Sequence, residues 1–395
     1  MMKNWTLPFT LVLGTLVLTG LTPANSSDFV APPSPSAGWL ETMNFYRSAS
    51  GLKPVSESET LTSGVLSHVT YLAKTNPLLI SGLYLNRHSE NPASPYATRA
   101  GITTGAGDLT SGPTSTESEP IDEWMSAPFH AVALLRENLL TTGFAEAFNA
   151  RSGQYEQGLS VLSGLGPAKR TKNILFPGPS SKVRLNVFSG ENPDPRESCG
   201  SNWKKYQGLP IWASLTSTPS PALTATLVTP SGAVLSAKRG ICIVDKWNFK
   251  TSSHVYGPTG KAIIAGDNLV IIIPKSPLAA GNYRVKISSP GRHVIGWSFG
   301  AIAPLPSQIL LTFPTTAAPH LYRWHAVTGS PDDTVLGYEV IVTNKIGLPP
   351  QTFNVTGTSF DDSAVALGAH SICVRATGTT RNSPCAWYSI TKSPN

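Results

Sequence analysis

The stretch IDEWMSAPFHAVALL, residues 121–135, decides how the amino-terminal part of the chain folds. Its apolar residues recur at intervals of three and four, which is the pattern of a helix facing a core. Proline is disfavoured inside a helix but favoured in its first turn, and Pro128 stands in the middle of the stretch. We therefore predict two short helices, one ending near Met125 and one beginning near Pro128, with His130 in the first turn of the second.

Length and composition indicate a folded chain of several domains. The 395 residues exceed one ordinary core, 40% of them are hydrophobic and only 13% are charged. Glycine and proline, 34 each, favour many turns and short strands. The net charge of +7 is scattered, with no basic helix and no aromatic–basic stripe, so nucleic acid is excluded as the expected partner.

The first 26 residues have the pattern of an export signal. Lys3 gives a positive start, an apolar run occupies residues 7–21, and small residues surround Ala24. The run is short for a permanent anchor and contains Pro8. We expect residues 1–26 to be a signal peptide, the protein to be secreted or held at the cell surface, and the mature chain to lack a transmembrane segment.

Two more helices and a long loop are expected next. Residues 38–51 and 58–76 have helical spacing, and His68 falls on the apolar face of the second, where a core role is the simplest interpretation. The segment NRHSENPASPYATRAG, residues 86–101, has turn residues and no period, so it should be an ordered loop. Alternating segments at 143–149, 158–164 and 183–190 predict strands.

The rest of the chain is expected to be all β. Strands separated by Gly, Pro and Ser turns, without helical period, predict a β-sandwich over residues 205–303. A second unit over 307–395 has the strand rhythm of a fibronectin type III-like or immunoglobulin-like module. The sequence GWSFG, residues 296–300, fits the motif of a hydrolase serine, Ser298, but the proline-containing residues after Gly300 cannot form the helix that this chemistry needs.

Four cysteines, none in a C-x-x-C spacing, make a zinc knuckle improbable. In an exported chain an even count predicts disulfides. Pairing by proximity gives Cys199–Cys242 and Cys373–Cys385.

The helical segments, the loop HSENPASPYATRAG and IDEWMSAPFHAVALL together resemble the bacterial branch of the CAP superfamily, over roughly residues 37–190. The resemblance implies an α-β-α sandwich at 37–190. With the two all-β sandwich domains predicted from the strand pattern, the chain is expected to be α+β. It also implies a cleft lined by histidines and acidic residues, which some members use to bind a divalent metal. The matching positions are His88, Glu90, Asp108 and His130.

The chemistry of these side chains leaves several functions open. If HSE is extended, His88 and Glu90 project to the same side. Imidazole and carboxylate suit zinc or another divalent ion, with His88 and His130 as candidate ligands, although a hydrogen-bonded polar cluster without metal is the simpler alternative.

We expect a secreted, non-enzymatic binding protein whose β modules serve adhesion or presentation. Its partner would be a small molecule, a lipid or a cell-surface polymer. The alternatives are an extracellular hydrolase acting on peptide or cell-wall substrate with the histidine and glutamate set, and a structural surface protein. No nucleophilic serine or cysteine is evident beside the histidines, which favours binding over catalysis.

Overall fold

The structure is a computed structural model of the whole chain. It describes residues 29–34, 37–111, 119–151, 154–168, 170–188, 190–203, 207–291, 293–302, 311–312, 320–327, 329, 334–344, 350–363, 365, 368–379, 382–383 and 386–392. The predicted signal peptide lies outside this part of the chain. No helix in the described ranges is both long and apolar enough to cross a membrane.

Helices lie mainly in the first part of the chain, whereas strands run through all of it. The α-helices of the described residues are α1 Trp39–Ala49, α2 Glu59–Lys74, α3 Arg99–Gly105, α4 Glu119–Ser126, α5 Pro128–Leu134 and α6 Gly257–Gly266. The strands up to the end of the second unit are β1 Ser56–Glu57, β2 Asp108–Ser111, β3 Thr141–Thr142, β4 Phe144–Asn149, β5 Gln154–Ser160, β6 Ile174–Phe176, β7 Lys182–Val183, β8 Val187–Phe188, β9 Gln207–Gly208, β10 Ile211–Ser214, β11 Thr224–Val228, β12 Val234–Ser236, β13 Ile241–Val244, β14 Leu269–Pro274, β15 Gly281–Ser289 and β16 His293–Ala301. The carboxy-terminal strands are β17 Leu311–Thr312, β18 Leu321–Trp324, β19 Val335–Asn344, β20 Gln351–Val355, β21 Ser359–Asp361, β22 Gly368–Gly378 and β23 Ala386–Lys392.

The amino-terminal unit is the expected α-β-α sandwich. Its sheet has the order β2-β5-β4, and neighbouring strands run antiparallel. Alternate side chains of a strand face opposite sides. Phe144 therefore packs on one face, with its ring centroid 5.5 Å from that of Trp39 in α1. Ala145 packs on the other face against Val65 and Val69 of α2.

The helix break in the 121–135 stretch is confirmed. Helix α4 ends at Ser126, and Pro128 occupies the first turn of α5. A buried arginine fixes the far end of α5: Arg47 of α1 donates hydrogen bonds to the carbonyl oxygens of Leu134 at 2.6 Å, Arg136 at 3.1 Å and Leu139 at 3.0 Å. Leu134 ends α5, and Arg136 and Leu139 lie in the segment after it, so Arg47 ties the end of the helix and that segment to α1.

The second unit contains two packed sheets, of orders β13-β14-β10-β6 and β12-β11-β15-β16-β7. Strands β6 and β7 lie within the 37–190 range that the sequence assigns to the first domain, yet they pair with β10 and β16. Such pairing between distant segments is not visible in a local sequence pattern. The domain limits stay predictions.

Ser298 lies inside strand β16, between the buried side chains of Trp297 and Phe299. It is not at the strand-to-helix turn that a hydrolase nucleophile requires.

The prediction that the second unit lacks helices is wrong, because α6 forms between β13 and β14. Its sequence, GPTGKAIIAG, contains three glycines and a proline, residues that depress helix propensity. Packing stabilises it instead: Ile264 is buried, and a side-chain carbon at Gly260 would come within 2.4 Å of Pro193. This close approach sets α6 beside the loop that leads out of the first unit.

The carboxy-terminal unit has sheets of three and four strands, ordered β17-β18-β21 and β20-β19-β22-β23. This division of strands is that of a fibronectin type III-like sandwich, with a core that includes Tyr322, Val340 and Val374.

The predicted bond between Cys199 and Cys242 is confirmed, with the two Cα atoms 5.7 Å apart. The second pair stays a prediction, since Cys385 lies outside the described residues.

Candidate functional site

A cavity of about 420 Å³ lies where the first unit meets α6. The first unit contributes His88, Asp108 and His130, three of the four residues predicted from the sequence. The second unit contributes residues on and beside α6, among them Tyr256 and Ile263. The cavity is therefore composite, and the sequence did not predict its second wall, because α6 itself was missed.

His88 is a neutral imidazole at one wall of this cavity. Burial lowers its pKa from 6.5 to about 4, the neighbouring His68 and His130 contribute to the decrease, and the backbone of Gly105 opposes it. Its Nδ1 atom is shielded from solvent and has no hydrogen-bond partner of good geometry in the described part of the chain. The ring stands perpendicular to that of Tyr256, with centroids 5.8 Å apart. Tyr256 also accepts a hydrogen bond from the backbone N–H of Arg87 at 3.0 Å, so the second unit holds the histidine loop in place.

Asp108 is a buried carboxyl on strand β2. It pairs with Ser160 across the sheet and is only 4% exposed. Burial raises the pKa of Asp108 from 3.8 to about 7, and the nearby His68 and the Ser160 side chain offset this only in part. Neither oxygen has a hydrogen-bond partner of good geometry in the described residues. Asp108 is thus held near the point where it changes from a neutral acid to a carboxylate at physiological pH.

Glu90 does not line the cavity, in contrast to the prediction. Its carboxylate lies 2.9 Å from Nδ1 of His68 and accepts a hydrogen bond from the Thr98 backbone at 3.0 Å. The prediction assumed that HSE is extended, but the chain turns at Arg87 and His88. The His88 side chain therefore faces the cavity, while the Glu90 side chain faces His68.

His68 is buried, as its place on the apolar face of α2 suggested. Both of its ring nitrogens have partners in the loop. Nδ1 contacts the Glu90 carboxylate, and Nε2 lies 2.8 Å from the carbonyl oxygen of Arg87. Helix α3 covers this pair by means of glycines. A side-chain carbon at Gly101 would come within 2.3 Å of Glu90, and one at Gly105 within 2.3 Å of His68. The pair therefore anchors the loop to α2 on both sides of His88, at Arg87 and at Glu90.

His130 is oriented by a residue that the sequence did not identify. Its Nδ1 lies 2.8 Å from Glu191, whose carboxylate also accepts from the Phe129 backbone at 3.1 and 3.2 Å. Burial raises the pKa of Glu191, and the hydrogen bonds from His130 and Phe129 oppose that rise. Glu191 is 61 residues from His130 and stands in a turn-like segment without period, so no local signal could have joined the two.

The residues of the cavity do not fit a divalent metal. In the described ranges no group of three or more His, Cys, Asp or Glu side chains is placed to hold one. Glu90 and Glu191 are each engaged by a histidine at the ring nitrogen Nδ1. His88, Asp108 and His130 line the same cavity, but these three side chains are not placed to share one ion. No hydroxyl or thiol of the described residues is hydrogen-bonded to the ring of His88 or His130.

Comparison with known proteins identifies the first unit. Residues 40–156 match the family model described as CAP: Cysteine-rich secretory protein family, so the chain contains a CAP domain. The match does not specify the bacterial branch, which stays a prediction. No curated protein matches the sequence.

Solved structures resemble the chain only distantly. A two-domain fibronectin type III segment from chicken tenascin is 13% identical and covers 46% of this chain and 92% of its own, with a TM-score of 0.21. Titin domains A168–A170 are 9% identical over 64% of this chain and 83% of theirs, with a TM-score of 0.25. A tetra-tandem repeat from the extending region of a large adhesion protein is 14% identical over 63% and 56%, with a TM-score of 0.17.

Proposed function

We propose that this CAP-domain protein is an extracellular binding protein. Its cavity between the CAP domain and α6 would hold a small molecule, and its β modules would serve adhesion or presentation. The export pattern of residues 1–26 supports the location. The composite cavity supports the binding role, because ligand sites form preferentially where domains meet and combine an apolar lining with a few polar groups.

The observation that carries this proposal is the contrast between the two kinds of lining. Phe129, Val161 and Ile263 provide apolar surface, while His88 and His130 bring ring nitrogens to the same cavity. Buried polar groups without partners are costly, by about 1–3 kcal/mol each, unless water or a ligand satisfies them.

The test is to recover the secreted protein from its culture and identify small molecules that copurify with it. Ala106 is exposed and lines the cavity mouth, so Ala106→Trp should block entry without disturbing the core. Ala100→Trp is the matched control, since Ala100 is exposed on α3 and does not line the cavity.

Mass spectrometry of organic extracts should find a compound in the wild type and in Ala100→Trp that is depleted in Ala106→Trp. Equal extracts from all three proteins would contradict the proposal.

A further inference from the structure

An open groove on the second unit contains two tryptophans, away from the cavity at α6. The groove lies beside Trp203 and Trp247, has a volume of about 330 Å³ and is lined by both cysteines of the disulfide. A second depression of about 500 Å³ is also lined by Trp203, so the two adjoin there and form one longer groove. The bond between Cys199 and Cys242 ties the segment before Trp203 to strand β13 and thereby holds the walls of the groove together.

Trp247 presents a flat aromatic face to this groove. The residue is 53% exposed, although tryptophan is highly buried on average. Its indole Nε1–H donates to the carbonyl oxygen of Pro219 at 3.0 Å, which fixes the orientation of the ring. Lys246 lies over one face, with Nζ 4.6 Å from the ring centroid, and is not part of the described lining of the groove. The face turned toward the groove is therefore the opposite one.

A hydrogen-bond acceptor lies next to this ring. Asp245 lines the groove although it is only 5% exposed. Its Oδ1 accepts from the backbone N–H of Trp247 at 2.8 Å, which fixes the carboxyl beside the indole. Burial raises the pKa of Asp245, and the backbone N–H groups of Trp247 and Asn248 and the charge of Lys246 oppose the rise. A carboxylate can accept about four hydrogen bonds, so these N–H groups leave capacity for donors from a ligand.

The same turn prevents an extended peptide from adding a strand at the groove. Strand β13 is at the edge of its sheet, and a free edge pairs readily with a peptide backbone. The Asn248 side chain occupies this edge. Its Nδ2–H donates to the Ile243 carbonyl at 2.8 Å, and its Oδ1 accepts from the Asp245 backbone at 2.9 Å. Asn248 thus makes the hydrogen bonds that a neighbouring strand would make at this position.

The charges of the groove disfavour an anionic polymer. Its described lining contains the carboxylates of Asp194, Glu197 and Asp245 and a single guanidinium, that of Arg196. Arg196 is paired with Asp194, with Nη2 and Oδ2 2.5 Å apart. A polymer of phosphate, sulfate or carboxylate groups would meet like charge here, although the whole chain has a net charge of +7. An uncharged ligand rich in hydroxyl groups meets no such repulsion.

A sugar ring has the complementary shape and chemistry. One face of a pyranose carries C–H groups that pack on the electron-rich face of an indole, and its rim carries hydroxyl groups that donate to a carboxylate. We propose that the groove beside Trp203 and Trp247 binds an uncharged polysaccharide, with one sugar ring on Trp247, hydroxyl groups donating to Asp245 and the polymer continuing past Trp203. The inference rests on the adhesive role proposed for the β modules, to which it adds the class of partner, and it does not depend on the cavity at α6.

The test is affinity electrophoresis of the full chain in native gels that contain a soluble polysaccharide. The uncharged probes are hydroxyethyl cellulose, glycol chitin and galactomannan, and the anionic probe is polygalacturonate. At least one uncharged probe should retard the wild type. Polygalacturonate attracts a cationic chain by charge alone, so it should retard the wild type and Trp247→Ala equally.

Trp247→Ala should weaken binding to the uncharged probe by at least about tenfold, the effect of truncating one aromatic anchor. Trp247→Phe, which keeps a smaller ring, should retain part of the binding. Asp245→Asn loses one acceptor oxygen and should weaken binding by about fivefold. Tyr96→Ala is the matched control: Tyr96 is also an exposed aromatic residue with a lysine over its ring, Lys74 at 5.9 Å, but it does not line the groove. Its variant should bind like the wild type.

Three results would overturn the inference. The first is that none of the uncharged probes retards the wild type, which leaves the cavity function intact because the culture extracts test that function separately. The second is wild-type binding by Trp247→Ala or by Asp245→Asn. The third is binding of a fluorescent oligolysine that is lost in Trp247→Ala while no polysaccharide binds, which would assign the groove to a cationic peptide. Ala106→Trp, which blocks the cavity, should bind the polysaccharide like the wild type, and loss of binding in that variant would place the polysaccharide in the cavity instead.

Discussion

Asp108 provides a pH-dependent test of the site, because its carboxyl holds a proton more strongly in the folded protein than in the unfolded chain. Its pKa rises from 3.8 to about 7 on burial. The unfolded state then binds fewer protons than the folded one at pH values between these two. The free energy of unfolding should fall as pH rises from about 4 to about 7 and stay level above that. Three pKa units at 1.36 kcal/mol each give about 4 kcal/mol as the size of this effect.

Asp108→Asn removes the titration and keeps the shape of the side chain. Its stability relative to the wild type should therefore increase with pH over the same window, by a few kcal/mol. His88 acts in the opposite sense: since its pKa is lowered to about 4, its contribution is present above about pH 6.5 and is lost as pH falls to 4. That contribution is common to both proteins and cancels in the comparison.

The assay is hydrogen exchange in urea, with mass spectrometry of peptides from β2 and β5, since a chain of several units does not unfold in one step. Glu59→Gln, an exposed carboxylate on α2, should reproduce the wild-type profile. Parallel pH profiles for wild type and Asp108→Asn would refute the reasoning.

Three further substitutions test the contacts that position the site. His68→Leu should destabilise the CAP domain by about 3–5 kcal/mol in urea unfolding, because it leaves the Glu90 carboxylate buried without its histidine partner. Adding Glu90→Leu to the same chain should recover part of that loss. Arg47→Met should cost at least about 3 kcal/mol by the same measurement, since several buried carbonyl groups lose their donor; no change would contradict its assigned role. Replacing Cys199 and Cys242 by alanine should lower stability by about 2–4 kcal/mol, seen as earlier exchange in β13, and unaltered exchange would show that the bond is dispensable.

The sequence predicted most of the fold because the decisive signals are local. The break at Pro128, the end of α1 before Gly51 and the alternating strands of the carboxy-terminal half all depend on neighbouring residues. Helix α6 was missed because its residues have weak helix propensity and the helix depends on packing against Pro193. Strand β6 was not predicted, because it is short and its partner, β10, lies far along the chain.

The candidate site shows the same division between local and distant signals. His88, Asp108 and His130 could be found because motif resemblance marks individual positions. Resemblance does not give side-chain direction, so Glu90 was placed in the cleft although it turns away to His68. Glu191 came from outside the motifs altogether, since only the fold brings its segment to α5.

The central claim is that a small molecule binds between the CAP domain and α6. The most direct measurement is a crystal structure of the wild-type protein soaked with a brominated 2-naphthol, in which anomalous scattering locates the bromine. The account predicts a bromine peak between Phe129 and Ile263, inside the cavity between the CAP domain and α6. A peak elsewhere, such as the open groove beside Trp203 and Trp247, or no peak at all, would contradict it.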